Sequence, residues 1–474
     1  MSIEHGDPSE ARAAFRERAE LRRFRRSWIA VVAVLVVGAA VLGVASVAQG
    51  PRLSSAAVNA EAAVERPGQR LVLHADQPLA RVDPDAVTVE PDAAFELTQD
   101  GAQLTVRFTG LLRYASEYRV TIAVRSAATG ASAHLDYRFA TPDVASYALV
   151  RHDPADASGT DRVVRHSLSG AEPDAVVLEA PRIQEYEPVG AVVAAIVQDT
   201  DGAPSLELAA PGDPVATPVP TPPARGIRGL HAASSGDLLG YIVDGAGGGT
   251  GALFVLDLSD ASWVPLEVRG PGDAPLAVLD WTFVPGTTSL VVQADDLQLY
   301  LVDPIAGSEP TPLGQRTELR GFLPGTVQLV VADPDGGAIV DLAAGTTTPL
   351  DLVPAEVPPG LYPDDFVLTS PTSYVELFND PMGDAGVGAR SILYAVDAQG
   401  TRELFRPATA TSRIGAVCLS PNGQYLAVEV VPGGATPDNY ANAPGWSGTT
   451  IYYVDAVSGA TSRGVTGMSP DWCA

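Results

Sequence analysis

Lysine is absent: all 30 basic residues of the 474-residue chain are arginine. That excludes Schiff-base catalysis, a phosphate-loop lysine and a lysine general base. Cysteine is nearly absent, with Cys418 and Cys473 alone and no CxxC or Cys/His cluster, so no zinc site is expected. If the late part of the chain is extracytoplasmic, these two cysteines make one disulfide the simple expectation. Histidine is scarce at six, without HxH or HExxH spacing, and no GxSxG elbow occurs. The reading is therefore a non-enzyme with no catalytic constellation, metal site or cofactor.

Acid is plentiful. Residues 1–49 hold seven Arg against five acids, a net of +2, and the remainder holds 23 Arg against 52 acids, a net of −29. Such a body repels nucleic acid and anionic headgroups. Its surface is read as solvated and acidic, with a cation or basic partner as the sharper alternative. Gly 46 and Pro 40 are dispersed through apolar runs, which points to many turns rather than disorder.

Residues 28–48, WIAVVAVLVVGAAVLGVASVA, form 21 residues without a charge. The length suits a transmembrane helix. Arg22, Arg23, Arg25 and Arg26 precede it and Trp28 stands at its edge, which predicts a cytoplasmic tail at 1–27 and a single-pass protein of the cell membrane with extracytoplasmic C-terminal domains. A signal peptide cleaved after Ser46-Val47-Ala48 is the competing reading. Ala39 and Gly43 have small-xxx-small spacing, which composition alone explains.

From residue 70 the pattern alternates with period two. Leu104, Val106 and Phe108 alternate with polar neighbours, as do Tyr118, Val120, Ile122 and Val124, and then Leu135, Tyr137 and Phe139. This predicts about seven short strands and a small β-sandwich over 58–141. The segments RLVLHADQPLARVDPDAVTVEP, GAQLTVRF, SEYRVTIAV and LDYRFATP resemble the bacterial Ig-like domain first described in S-layer proteins. The likeness lies in the order Tyr118-x-Val120-x-Ile122 and then Phe139-x-Thr141; Gly110-Leu111-Leu112 departs from the family's usual proline. The resemblance implies a spacer or adhesion module.

Residues 145–474 repeat. An apolar run ends in Asp, a turn follows, and a second strand begins: LFVLDLSDASWVPL, LYLVDPIAGSEPTPL, AIVDLAAGTTTPL, LYAVDAQGTRELF and IYYVDAVSGATSRGV. The aspartates are Asp257, Asp303, Asp341, Asp397 and Asp455, read as structural turn caps accepting backbone N–H two residues on. Two degenerate copies carry Ser167 and Ala209 there. Between them lie entry hairpins such as IGAVCLSPNGQYLAVEV. Two hairpins per repeat make a four-stranded blade, and seven copies make a seven-bladed β-propeller in an all-β chain. The segment GVTGMSPDWCA reads as an entry strand for the first blade, which removes both open edges. Cys418 and Cys473 then lie on neighbouring strands, so a Cys418–Cys473 bridge would lock the ring. SPNGQYLA (420–427) and the SPDW at 469–472 resemble the motif of TolB-like, WD40-like bacterial propellers, which implies binding of protein partners.

Other features are weighed and set aside. His152 and His166 flank a hairpin and are placed to face one another; His231 is the third propeller histidine. DGAGGGTG (244–251) joins two strands and lacks the helix that a phosphate loop requires. Glu185 and Glu187 share a strand face and are read as a solvated edge, with paired catalytic acids as the alternative. NDPMGDAG (379–386) and DPDGG (333–337) are oxygen-rich turns that do not fit an EF-hand. PGDPVATPVPTPPARG (211–226) is read as a stiff loop. Trp281-x-Phe283 and Tyr452-Tyr453 are read as core or groove-lining.

The resulting expectation is a membrane-anchored extracytoplasmic binding or scaffold protein whose propeller engages an envelope protein or cell-wall glycan. The alternatives are a glycan- or peptide-acting hydrolase, or an accessory or sensor subunit of a membrane signalling complex.

Overall fold

The computed structural model describes residues 28–37, 50–152, 159–210, 212–234, 237–245, 251–260, 262–380, 390–440 and 443–472. Two compact units emerge: 1–112 with 116–141, and 113–115 with 142–474.

Among the described residues no helix is long and apolar enough to cross a membrane. The helix found in the apolar run covers 28–37. At 1.5 Å per residue its ten described residues extend about 15 Å, half of a hydrocarbon core about 30 Å thick. This overturns the expected single-pass span at 28–48 and the cell-membrane localisation that rested on it. Hydropathy measures apolar content, not helix length; residues 38–48 of the run lie outside the described residues. Trp28 is 61% exposed on the short helix; Arg22, Arg23, Arg25 and Arg26 lie outside the described residues, as do Ala39 and Gly43.

The first unit contains a four-stranded and a three-stranded antiparallel sheet. Period two sets the burial. In Glu117–Arg125, Tyr118, Val120, Ile122 and Val124 are buried while Glu117, Arg119, Ala123 and Arg125 are exposed. Leu71, Leu73, Leu104, Val106 and Phe108 are buried in the four-stranded sheet. A short helix, Ala60–Glu65, lacks any period-two signal; Asn59 caps it by accepting from Ala62 N at 3.0 Å.

The second unit is a succession of four-stranded antiparallel sheets, seven among the described residues. Six are simple meanders in chain order, led by Ile183–Val189, Gly226–Ala232, Val278–Phe283, Glu318–Phe322, Tyr362–Ser370 and Arg413–Leu419. The first sheet differs. Three of its strands come from 145–180, and the fourth, Met468–Asp471, joins beside Ala145–Val150.

Apolar clusters join the sheets pairwise, each to its successor, from first–second through to sixth–seventh. Contacts also join the seventh sheet to the first: the Trp472 ring lies 5.1 Å from that of Tyr453 in the seventh sheet, and Arg463 donates to Ser167 O of the first at 3.2 Å. Second strands such as Leu238–Asp244 and Tyr425–Val431 are buried on both faces because a sheet packs on either side, whereas the fourth strand Thr346–Pro349 is exposed throughout. The proline-rich 211–226 supplies the edge strand Thr217–Val219 rather than loop alone, where Pro218 needs no ladder N–H.

Asp257, Asp303, Asp341, Asp397 and Asp455 close third-strand turns. Their Oδ1 atoms accept the N–H of Ser259 (2.9 Å), Ile305 (3.1 Å), Ala343 (3.0 Å), Gln399 (2.8 Å) and Val457 (3.0 Å). Cys418 is 7% exposed and is not a free thiol. No disulfide joins two described residues, because Cys473 lies outside them; the Cys418–Cys473 bridge drawn from the sequence is therefore not among the described contacts.

Each leading strand of the second to seventh sheets carries a register shift against its neighbour, as between Ile183 and Glu185 or Arg228 and His231. A bulge turns backbone groups out of the ladder and re-aims side chains, and the polar groups described next depend on it.

Candidate functional site

A loop of unusual length, 432–449, connects the second and third strands of the seventh sheet. Ordinary hairpins need two to five residues, and long structured loops tend to carry function. Its residues Thr436, Asp438 and Trp446 border a cavity of about 320 Å³ completed by Leu149, Arg151 and His152 of the first sheet. The hydroxyl residues Ser447, Thr449 and Thr466 also line it.

One carboxylate organises the wall. Asp161 is fully buried. Its Oδ1 accepts from His152 N at 3.0 Å and meets His152 Nδ1 at 2.7 Å. Its Oδ2 accepts from Ile183 N at 2.8 Å and from the Tyr440 hydroxyl at 2.7 Å. Four donors satisfy both oxygens, as a buried carboxylate requires. With Nδ1 committed to Asp161, Nε2 is the imidazole nitrogen left to meet a ligand.

Arg151 is equally enclosed. It pairs with Asp438 at 2.5 Å, with side chains 5% and 7% exposed. It also donates to Ala443 O at 2.7 Å, Gln184 O at 3.1 Å and Ile183 O at 3.2 Å. Its guanidinium lies 3.8 Å from the Tyr440 ring centroid, and that of Arg182 lies 4.6 Å away. Burial pushes the Asp438 carboxyl up, but the Gly445 N–H and Arg151 outweigh it and hold the group below the usual range. The charges in the wall are thus paired before any ligand arrives. Trp446 remains 37% exposed, with Arg413 stacked 4.5 Å from its ring.

A second group lies along the leading strands. Glu185 Oε2 accepts from Leu230 N at 3.0 Å, and Glu187 Oε1 from Ala232 N at 2.9 Å. Both donors belong to the bulged strand of the third sheet. The charge of Asp471 reaches Glu187. Glu429 Oε2 accepts from Ser469 N at 2.7 Å. Burial raises Glu185 and Glu429; burial and the Asp471 charge raise Glu187 well above the ordinary value. Glu185 and Glu187 are therefore not a solvated edge: they tie one sheet to the next.

The other two histidines of the second unit do not line the cavity. His152 and His166 do not face one another: His152 meets Asp161, while His166, 4% exposed, lies 2.9 Å from Asp174. His231 packs edge-on to Trp281 at 5.3 Å. Asp333 in DPDGG is held by Arg316 at 3.0 Å and Thr317 N at 2.9 Å. Of the other two turns, residues 246–250 and 381–389 lie outside the described residues. No group of three or more metal-ligating side chains occurs among the described residues.

Sequence reading passed over Asp161, Tyr440, Arg151, Asp438 and Trp446. Partners 279 or 287 positions apart leave no local spacing to detect. The available signal was the length of 432–449 and its Asp, Tyr and Trp content.

No family profile matches this chain, and no curated protein matches it. Among solved structures, an auxiliary nutrient binding protein from Bacteroides thetaiotaomicron is similar at TM-score 0.32 and 11% identity, covering 75% of this chain and 86% of its own. A likeness that remote assigns neither fold nor ligand.

Proposed function

We propose that the chain is a binding protein that holds a neutral, hydroxyl-rich ligand, a short glycan segment of the cell wall, in the cavity between His152 and Trp446. The observation that carries this is the wall itself: a part-exposed indole, several hydroxyls, and charges already neutralised by one another. An ionic ligand would find no unpaired countercharge in Arg151 or Asp438, whereas a sugar offers an apolar face to the indole and hydroxyls to the rim. In the same reading the seven sheets are the blades of a propeller, with Met468–Asp471 closing the ring, and the first unit is an Ig-like spacer.

Calorimetric titration with neutral wall oligosaccharides tests it. Saturable binding that Trp446→Ala weakens at least about tenfold, or about 1.4 kcal/mol, supports the reading. Absence of binding, or binding indifferent to the substitution, removes it.

The hydrolase alternative gains one observation, the Glu187–Asp471 pair. Glu187 is already engaged by the Ala232 N–H at 2.9 Å, which ties it to the third sheet. We therefore read the pair as structural.

A further inference from the structure

The imidazole of His152 is closed off along most of its edge. Its Nδ1 meets the buried Asp161 Oδ1 at 2.7 Å. Gly159 covers the carbon side so closely that a Cβ there would lie 2.7 Å from His152 Cβ and 2.8 Å from Cγ and Cδ2. Cε1 and Nε2 are the ring atoms left to face the cavity that His152 lines, and the side chain is 20% exposed. Among the described residues nothing bonds to Nε2.

Asp161 decides which ring nitrogen carries hydrogen. Its oxygens already accept the N–H groups of His152 and Ile183 and the Tyr440 hydroxyl, so toward Nδ1 it acts as an acceptor too. In the neutral imidazole one nitrogen donates and the other accepts. With the N–H on Nδ1, Nε2 turns a lone pair to the cavity. The rim leans the same way. Thr449 spends its hydroxyl hydrogen on Trp446 O at 2.8 Å. Ser447 Oγ accepts from Thr436 N at 3.0 Å and shares a hydrogen with Thr436 Oγ1 at 2.9 Å. What these groups have left to offer is chiefly lone pairs.

Resting on the glycan reading of the cavity, we propose that His152 is its specificity-determining residue: Nε2 accepts a hydrogen bond from a hydroxyl of the sugar ring that lies against Trp446. The cavity then reads the hydrogens of its ligand. A ring with a free hydroxyl at that place is held; one whose hydroxyl is replaced by an ether or ester has no hydrogen to give Nε2 and leaves it dry and unpaired. Asp161 and Gly159 are positioning residues, which act through the imidazole by fixing its tautomer and its plane.

Calorimetric titration of the full chain with the neutral N-acetylglucosamine trimer, paired with nitrogen-resolved NMR spectra of the histidine rings at about pH 8, where an ordinary imidazole is neutral, tests this. His152 should show hydrogen on Nδ1 and none on Nε2, and its Nε2 resonance should move upfield as the trimer fills the cavity. His152→Asn keeps a side-chain N–H for Asp161 and lacks Nε2. With its tryptophan resonances in place, it should bind the trimer about three- to tenfold more weakly, the worth of one neutral hydrogen bond. Should the variant fail to fold, the Nε2 shift of the wild type decides alone. Hydrogen on Nε2, an Nε2 resonance indifferent to saturating trimer, or a folded variant that binds as tightly as the wild type overturns the proposal. Where Trp446→Ala still weakens binding in those cases, the glycan reading stands without it. Absence of trimer binding overturns both.

Discussion

The Tyr440 hydroxyl donates to Asp161 Oδ2 at 2.7 Å, joining the long loop of the seventh sheet to the first hairpin of the unit across 279 residues. Tyr440→Phe leaves Asp161 one donor short without opening a cavity. A cost of about 1–2 kcal/mol is expected. Asp161→Ala orphans the N–H groups of His152 and Ile183 as well, and should cost about 3 kcal/mol or more. Urea unfolding of both variants checks the order; equal effects would show that Asp161 does not organise the wall.

Gly240 lies on the second strand of the third sheet, against Trp281. A Cβ at Gly240 would overlap Trp281 Cη2 and lie 2.7 Å from Cζ2. The indole has no room to yield: its N–H donates to Gly229 O at 3.2 Å, and Phe283 packs edge-on at 5.1 Å. Gly240→Ala should therefore destabilise by about 1–3 kcal/mol despite adding one methyl. Thermal unfolding of G240A, beside the open-space control Gly110→Ala, measures the difference.

Stability should peak in mildly acidic solution. Asp303, Asp341 and Asp438 have folded pKa values depressed below the unfolded one. Their contribution is complete above the ordinary carboxylate value, about 4, and is lost as pH falls through the folded values. Glu185, Glu187 and Glu429 are raised. Their contribution is complete below the ordinary glutamate value and is lost as pH rises through the folded values. Melting temperatures from pH 3 to pH 9 should pass through a maximum between about pH 4 and 6; a maximum at neutral or alkaline pH contradicts the assignment of the buried glutamates.

The repeat was legible because it is local. Each copy ends a buried strand in Asp and turns back within a few residues, so Asp303 and Ile305 declare the turn by themselves. Alternation in Glu117–Arg125 likewise declared its buried face. The wall of the cavity was not legible, since Arg151 meets Asp438 only after six further sheets have been laid down. Glu185 and Glu187 were misplaced for a related reason. Period two says which residues share a face, but not that a bulged strand of the next sheet will offer its N–H groups to that face. The apolar run at 28–48 misled in the opposite way, being apolar enough to suggest a span that the described helix at 28–37 does not make.

The central claim is that ligand enters beside Trp446. The most direct measurement follows the indole N–H resonances of the five tryptophans during titration with a neutral wall oligosaccharide. The account predicts that the Trp446 signal shifts in proportion to occupancy while those of Trp263, Trp281 and Trp472 hold still. Saturable binding with Trp446 unmoved would place the ligand elsewhere and contradict it.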